Sequence, residues 1–206
     1  MQPDPTFYIE TPRLFLSHFI ADNAKHCQLI ADLYYHSDVE SEDAADEVDA
    51  MTKAYNRITE RNRQLERLGY GIFLCSLKTE SNTLGDATPI GAISLNRRDE
   101  RQEPDEIFYP VPDVGFRLHP HFRGKGYAAE GARAMIKYAT ETLGLEGVLG
   151  FTSSENLASQ RTLENAGLEY RGERTLRAFT GYRARSIVYA LPGMGDLKEY
   201  NITEDP

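Results

Sequence analysis

The chain has 206 residues, of which 40% are hydrophobic, and a formal net charge of -9. This length and apolar content predict one domain with a sizeable core. The acidic balance argues against sequence-independent nucleic-acid binding, which needs a field of Lys and Arg. No apolar run approaches the length of about 18 residues that a membrane-spanning helix needs, and the first residues are polar, so we expect a cytoplasmic protein.

The two cysteines, Cys27 and Cys75, lie far apart, each in an apolar segment. Free cysteine is among the most often buried residue types, and this spacing fits no metal motif. The sequence therefore predicts two buried thiols and no metal site.

In chain order, the patterns predict a strand, two helices, three strands, a helix, a strand, a helix and two strands. The strands are predicted at residues 13–19, 70–78, 90–96, 114–118, 148–152, 168–176 and 186–191. The helices are predicted at residues 22–36, 41–68, 127–143 and 155–166. Such an order is typical of one mixed α/β domain, which we place at residues 9–191. Residues 1–8 are then an N-terminal extension, and residues 192–206 a surface tail.

Polar residues before two of the helices predict their N-caps. Asp22 is the expected cap of the first helix, and Ser153 or Ser154 that of the last. Gly167 stands where the last helix should end, the usual place for a C-terminal glycine.

A glycine-rich turn joins the strand at 114–118 to the next helix. Residues 123–128 read Arg-Gly-Lys-Gly-Tyr-Ala, and the helix begins within them. A helix N-terminus presents unpaired N–H groups and the positive end of the helix dipole, and glycines let the backbone approach a ligand. Arg123 and Lys125 add positive charge. The turn therefore predicts an anion site suited to a pyrophosphate.

Two other phosphate-binding motifs fit this turn less well. The P-loop pattern G-x-x-x-x-G-K-[ST] is absent. The pattern G-x-G-x-x-A of a dinucleotide-binding unit is present at 124–129, with Glu146 about 20 residues further on. However, Glu146 precedes the following strand, whereas the acidic residue of such a unit ends it.

The segment Arg123-x-x-Gly126-x-Ala128 resembles the signature [QR]-x-x-G-x-[GA] of the GNAT superfamily of N-acetyltransferases. The stretch 115–132 is similar to the RimJ/RimL-type branch of that superfamily. Residues 156–168 also resemble the branch's pattern N-x-x-S-x-x-x-L-x-x-x-G-F, and Thr11-Pro-Arg-Leu14 is a typical opening. The similarity covers residues 9–191.

The resemblance implies a twisted, mostly antiparallel sheet of about seven strands flanked by about four helices, an α+β arrangement within the α/β class. The strands at 114–118 and 148–152 would splay apart and admit acetyl-CoA. The resemblance assigns the pantetheine to the strand and last-helix residues Phe116, Arg117, Leu118, Asn156 and Ser159. It assigns the pyrophosphate to Arg123, Gly124, Lys125, Gly126, Tyr127 and Ala128.

The activity that the resemblance implies is acyl transfer from acetyl-CoA to a primary amine by direct attack in a ternary complex. Asp113 is the first candidate for the base that removes the amine proton, with Glu106, Asp105 and Tyr109 as rivals. Many relatives carry a tyrosine acid where this chain has Leu163. The acid is then Ser159 or water, or the thiolate leaves unassisted. His119 and His121 are expected to be structural.

The acceptor is expected to be a small-molecule amine or a peptide N-terminus. Glu103, Asp105 and Glu106 would favour a cationic amine or a basic peptide. We expect no nucleic acid, membrane or metal partner, and a monomer or homodimer. A GNAT-like module that binds acyl-CoA or a partner protein without turnover is the alternative.

Overall fold

The computed structural model describes residues 3–35, 44–97, 109–177 and 183–203. The strands in these ranges are Tyr8–Glu10 (β1), Leu14–His18 (β2), Ile72–Leu77 (β3), Thr88–Asn96 (β4), Asp113–Leu118 (β5), Leu149–Ser153 (β6), Glu169–Arg177 (β7) and Arg183–Ala190 (β8). The α-helices are Ala24–Tyr34 (α1), Ala44–Leu68 (α2), Tyr127–Lys137 (α3) and Leu157–Ala166 (α4). A π-helical turn, Tyr138–Thr142, follows α3 and completes the helix that the sequence predicted as one piece.

The strands form one mixed sheet in the order β1-β2-β3-β4-β5-β6-β8-β7. Neighbours from β1 to β4 are antiparallel, β5 and β6 are parallel, and β6, β8 and β7 are antiparallel. This confirms the predicted fold class. The strand β1 is additional to the seven predicted strands. It was missed because it is three residues long and its Tyr8 is largely exposed, which leaves little alternation for a sequence pattern.

The chain divides into two compact units, Met1–Ser94 with Phe116–Ala134, and Leu95–Gly115 with Met135–Pro206. In the first unit, buried faces of α1 and α2 pack with residues of β3 and β4 around Phe19, Ile30 and Ile58. Asn23 caps α1, accepting hydrogen bonds from the backbone N–H groups of Lys25 and His26 at 3.0 and 3.4 Å. The predicted cap, Asp22, is therefore wrong by one residue.

The core of the second unit includes Leu149, Val188 and residues that follow the last strand. Met194, Leu197 and Ile202 are buried there, so the expectation of a surface tail is wrong for this segment. These apolar residues stand singly among polar ones, and their spacing therefore shows no helical or strand period. Arg171 of β7 fixes the segment by donating to the carbonyl oxygen of Met194 at 3.1 Å.

Both cysteines are free and buried, as predicted. Burial, with a smaller contribution from the Glu130 charge, raises the pKa of Cys75 to about 12. Within the described ranges, no helix is both long and apolar enough to cross a membrane. The long helix α2 is amphipathic, with Ala50, Ala54, Ile58 and Leu65 buried along one side.

Candidate functional site

The predicted anion-binding turn lies between the end of β5 and the start of α3. We call residues 123–126 the anion loop. Gly124 and Gly126 in this loop have φ angles of +75° and +81°, in the left-handed region that strains other residues. A Cβ atom added at Gly124 would meet nothing within 4 Å, so the loop is open on that side. The helix α3 begins directly afterwards at Tyr127, which places its first N–H groups beside the loop.

Arg13, in the segment before β2, contacts the anion loop and holds its backbone in place. Its Nη1 donates to the carbonyl oxygen of Lys125 at 3.1 Å, and its Nε donates to Glu130 Oε2 at 2.6 Å. Its guanidinium also lies 4.6 Å from the centre of the Tyr127 ring. One side chain thus contacts the loop and the first turn of α3.

The carboxylate of Glu130 binds Arg13, and we call these two residues the clamp. Its Oε1 accepts hydrogen bonds from Thr11 Oγ1 at 2.6 Å and from the backbone N–H of Arg13 at 2.9 Å. Burial acts to raise the pKa of the Glu130 carboxyl, but the hydrogen bonds from Thr11 and Arg13 outweigh it and hold that pKa below its ordinary value. The charged form is therefore favoured, which also suits its place near a helix N-terminus.

No site role for Thr11, Arg13 or Glu130 was predicted from the sequence. The available signals were the Thr-Pro-Arg-Leu opening and an acidic residue in the first turn of α3. Neither signal shows that these two segments meet, because 117 positions separate Arg13 from Glu130. Arg123, predicted as a charged loop residue, instead donates from Nε to the carbonyl oxygen of Leu118 at 2.9 Å. It thereby joins the loop to the end of β5.

The strand β5 lies close against β4. A Cβ atom at Gly91 would be 2.4 Å from the carbonyl oxygen of Arg117, so the glycine permits this approach. On its other side, β5 pairs with β6 at a single position, Asp113 opposite Leu149. That the two strands splay apart stays a prediction of the sequence resemblance.

Asp113, the first candidate base, is buried, and its Oδ2 accepts a hydrogen bond from Asn96 Nδ2 at 3.1 Å. Its role as a base stays a prediction. The rival Tyr109 lies against Phe151, with ring centres 5.2 Å apart. The rivals Glu106 and Asp105, together with Glu103, lie outside the described residues.

The helix α4 carries the other predicted cofactor contacts. Asn156 is its N-cap, with Oδ1 accepting from the backbone N–H of Ser159 at 3.0 Å, so the predicted caps Ser153 and Ser154 are wrong. Asparagine caps helices as well as serine does, and the Ser153 hydroxyl accepts instead from the N–H of Glu155 at 3.2 Å. The Ser159 side chain is half-buried.

Three other residues that the sequence singled out make contacts within the structure. Leu163, which stands where many relatives carry a tyrosine, is buried, and a Cβ atom at Gly150 would be 2.8 Å from its Cδ2. His119 and His121 stack with ring centres 5.0 Å apart, and their Nδ1 atoms are 3.2 Å apart. Among the described residues, no cluster of His, Cys, Asp and Glu could hold a metal ion.

The family model described as the acetyltransferase (GNAT) domain matches residues 13–169. The chain belongs to the GNAT family. The match includes the anion loop, β5 and α4, together with Arg13 and Glu130. The family resemblance predicted from the sequence is therefore confirmed.

Two solved structures share the fold. A GNAT-family acetyltransferase from Bacillus anthracis is 18% identical, with a TM-score of 0.63 over 90% of this chain and 98% of that one. RimL, a ribosomal L7/L12 alpha-N-protein acetyltransferase solved in complex with coenzyme A, is 14% identical, with a TM-score of 0.61 over 89% and 97% of the two chains. At these identities the likeness concerns the fold.

A curated relative, the FsC-acetyl coenzyme A-N(2)-transacetylase of Aspergillus fumigatus, is 48% identical over 58 residues. The matched segment is 28% of this chain and 25% of that protein. The chain thus spans about a quarter of the length of that relative, and the similarity is confined to one segment.

Proposed function

We propose that this protein transfers the acetyl group of acetyl-CoA to a primary amine. The observation that carries the proposal is the anion loop, whose two positive-φ glycines lead into α3 while Arg13 and Glu130 fix its backbone. A loop held in this way presents N–H groups to a pyrophosphate without having to reorganise on binding. Membership of the GNAT family and the coenzyme A complex of RimL support acetyl-CoA as the co-substrate.

The loop residues would hold the pyrophosphate of acetyl-CoA, and the backbone of Phe116 to Leu118 would pair with its pantetheine as an added strand does. The pantetheine then places the thioester carbonyl beside β5, where a backbone N–H can donate to the oxygen as negative charge develops on it. Asn156 has its Oδ1 committed to the cap of α4, which leaves its Nδ2 group for a contact with the cofactor.

In the transfer itself, the lone pair of a neutral amine attacks the thioester carbon. The C–S bond then breaks, and coenzyme A leaves as the thiolate. An amine with an ordinary pKa is protonated at neutral pH, so a base must take its proton directly or through water. We assign this role to Asp113, with Glu106 as the rival, and propose Ser159 as the group near the departing sulfur.

The test is an acetyl-CoA-dependent thiol-release assay on a panel of amines and peptides, with mass spectrometry of the products. We expect an amide product and one thiol for each acetyl group transferred. Asp113→Asn should lower kcat at least about tenfold while acetyl-CoA binding stays, because a general base contributes at least that much. Glu106→Gln and Ser159→Ala are assayed in parallel. Their losses of kcat, compared with that of Asp113→Asn, show how much the rival base and the group near the sulfur contribute.

The non-catalytic alternative predicts a different pattern. It requires acetyl-CoA to bind while no amine or peptide of the panel is acetylated, even by the unsubstituted protein. A third outcome is that the unsubstituted protein acetylates an amine and that Asp113→Asn and Glu106→Gln do so equally well. The proposed acetyl transfer would then stand, and both base assignments would be overturned.

A further inference from the structure

Two arginines from different elements meet on one aromatic ring in the first unit. The guanidinium carbon of Arg57, on α2, lies 4.0 Å from the ring centre of Tyr34, on α1. The guanidinium carbon of Arg117, on β5, lies 4.5 Å from the same ring centre. We call Arg57 and Arg117 the arginine pair. Stacking on a ring engages the flat face of a guanidinium and leaves its N–H edges directed elsewhere.

Among the residues whose side chains the structure describes, neither member of the arginine pair has a hydrogen-bond acceptor or an ion-pair partner. The Nε of Arg57 is buried without an acceptor. A buried donor left in this state costs about 1–3 kcal/mol, more when it is charged. The arrangement is unexpected in a chain with 32 acidic and 23 basic residues, where carboxylates are plentiful.

The two positive charges also repel each other, since both guanidinium carbons lie within 4.5 Å of one point. A carboxylate bound at the arginine pair would relieve this repulsion and accept from the unused N–H groups. Arginine is the residue best suited to that contact, because its planar fork matches the two oxygens of a carboxylate.

We propose that the arginine pair binds a carboxylate carried by the acceptor, so that the substrate is an amine that is also an acid. The inference rests on the proposed function and names the substrate class of that site. Arg117 belongs to the run Phe116 to Leu118, whose backbone we assign to the pantetheine. An acid bound at the side chain of Arg117 therefore lies beside the thioester, which places the amine of the same molecule near the carbon that it attacks.

This substrate class differs from the one that sequence composition favoured. The expectation of a cationic amine rested on Glu103, Asp105 and Glu106, which lie outside the described residues. The arginine pair lies on the described elements α2 and β5, over a ring of α1. An acceptor with net positive charge would be repelled by the arginine pair.

The test compares amino acids with their own carboxamides as acceptors. Glycine, 4-aminobutanoate, 5-aminopentanoate and lysine, each paired with its carboxamide, vary the distance between amine and acid. For at least one pair, we expect kcat/KM to be about tenfold higher for the acid, the effect of one good charge-assisted contact. The preference should fall below about threefold in Arg57→Gln and Arg117→Gln, because an amide side chain has no positive charge.

Three controls separate specificity from folding. Arg63→Gln removes an exposed arginine of the same helix α2 and should keep the full preference. Arg117→Lys keeps the charge but not the fork, so we expect it to restore part of the preference. Arg117 is exposed, so its variants should melt close to the unsubstituted protein even if Arg57→Gln is destabilised. The KM for acetyl-CoA should stay unchanged in Arg63→Gln, which lies outside the residues assigned to the cofactor.

Equal or better use of the carboxamides by the unsubstituted protein would overturn the inference and leave the proposed function intact. Retention of the acid preference in both glutamine variants would overturn it as well. If no amine is acetylated at all, the carboxylate site is tested by calorimetry. Each amino acid and its carboxamide are titrated into the protein loaded with coenzyme A. Tighter binding of the acids, lost in Arg117→Gln, would support the carboxylate site while the transfer reaction fails, and equal binding would overturn the site.

Discussion

Arg13, which contacts the anion loop, and the arginine pair on Tyr34 are used in opposite ways. Arg13 donates to the carbonyl of Lys125 and to the carboxylate of Glu130, so the protein itself satisfies two of its donor groups. Arg57 and Arg117 have no such acceptor among the described residues. The first arrangement fixes a backbone before any ligand arrives, whereas the second leaves positive charge for a ligand to neutralise. Substitutions in the clamp should therefore affect cofactor binding, and substitutions in the pair should affect acceptor choice.

The largest effect that sharpens this contrast is expected at Gly126. Valine cannot adopt its φ of +81° without strain, and its Cβ would lie 3.4 Å from Arg13 Nη2. We expect Gly126→Val to weaken acetyl-CoA binding at least about 30-fold, or about 2 kcal/mol, as measured by calorimetry. Gly144→Val is the matched control, because its φ is +65° and no atom lies within 4 Å. It should lose stability but keep its affinity, and equal losses of affinity would contradict the assignment of the loop.

A smaller effect is expected at Glu130. Glu130→Gln removes the charge that faces Arg13 and Thr11, so the Lys125 carbonyl is held less firmly. We expect the KM for acetyl-CoA to rise about 5- to 10-fold, or about 1–1.4 kcal/mol, the size of one charged hydrogen bond. The KM for S-acetylpantetheine, which has no pyrophosphate, should not change.

The control for Glu130→Gln is Glu141→Gln, because Glu141 forms an exposed ion pair with Lys137 at 3.7 Å. This variant should change the KM for neither acetyl-CoA nor S-acetylpantetheine. An equal rise in KM for acetyl-CoA and S-acetylpantetheine would mean that Glu130 supports the fold in general rather than the anion loop.

The lowered pKa of Glu130 predicts that the free energy of unfolding depends on pH. Its pKa in the folded state is lowered from 4.5, so the stability that it contributes is complete above about pH 4.5 and is lost as the pH falls through the folded value. At pH 7 the melting temperature of the unsubstituted protein should be a few degrees above that of Glu130→Gln. This difference in melting temperature should become smaller between pH 4.5 and pH 3. A gap that stays constant down to pH 3 would show that the charge of Glu130 does not stabilise the fold.

The smallest effect concerns the cysteines. Burial raises the pKa of both thiols, that of Cys75 to about 12, so neither forms a reactive thiolate at neutral pH. A thiol reagent should therefore react slowly with the native protein and modify two thiols after unfolding. Rapid modification of either cysteine at pH 7.5 would show that its segment opens. The thiol-release assay would then need correction for the protein's own thiols.

The sequence predicted the parts of the site that depend on local patterns. The glycines of the anion loop, the strand before it and the helix after it are neighbours in the chain, so one motif reports them together. Arg13 with Glu130, and Tyr34 with Arg57 and Arg117, come from distant segments, and only the folded sheet brings each group together. Single apolar residues such as Met194 and Ile202 have no period, so their burial could not be predicted either.

We propose that the anion loop binds the pyrophosphate of acetyl-CoA. The most direct test is calorimetric titration of the protein with acetyl-CoA and coenzyme A, with NAD as a pyrophosphate-containing control. We predict one molecule of acetyl-CoA or coenzyme A bound for each chain, much weaker binding of both by Gly126→Val, and no binding of NAD. Failure of acetyl-CoA to bind, or unchanged binding by Gly126→Val, would contradict the assignment of the anion loop to the pyrophosphate.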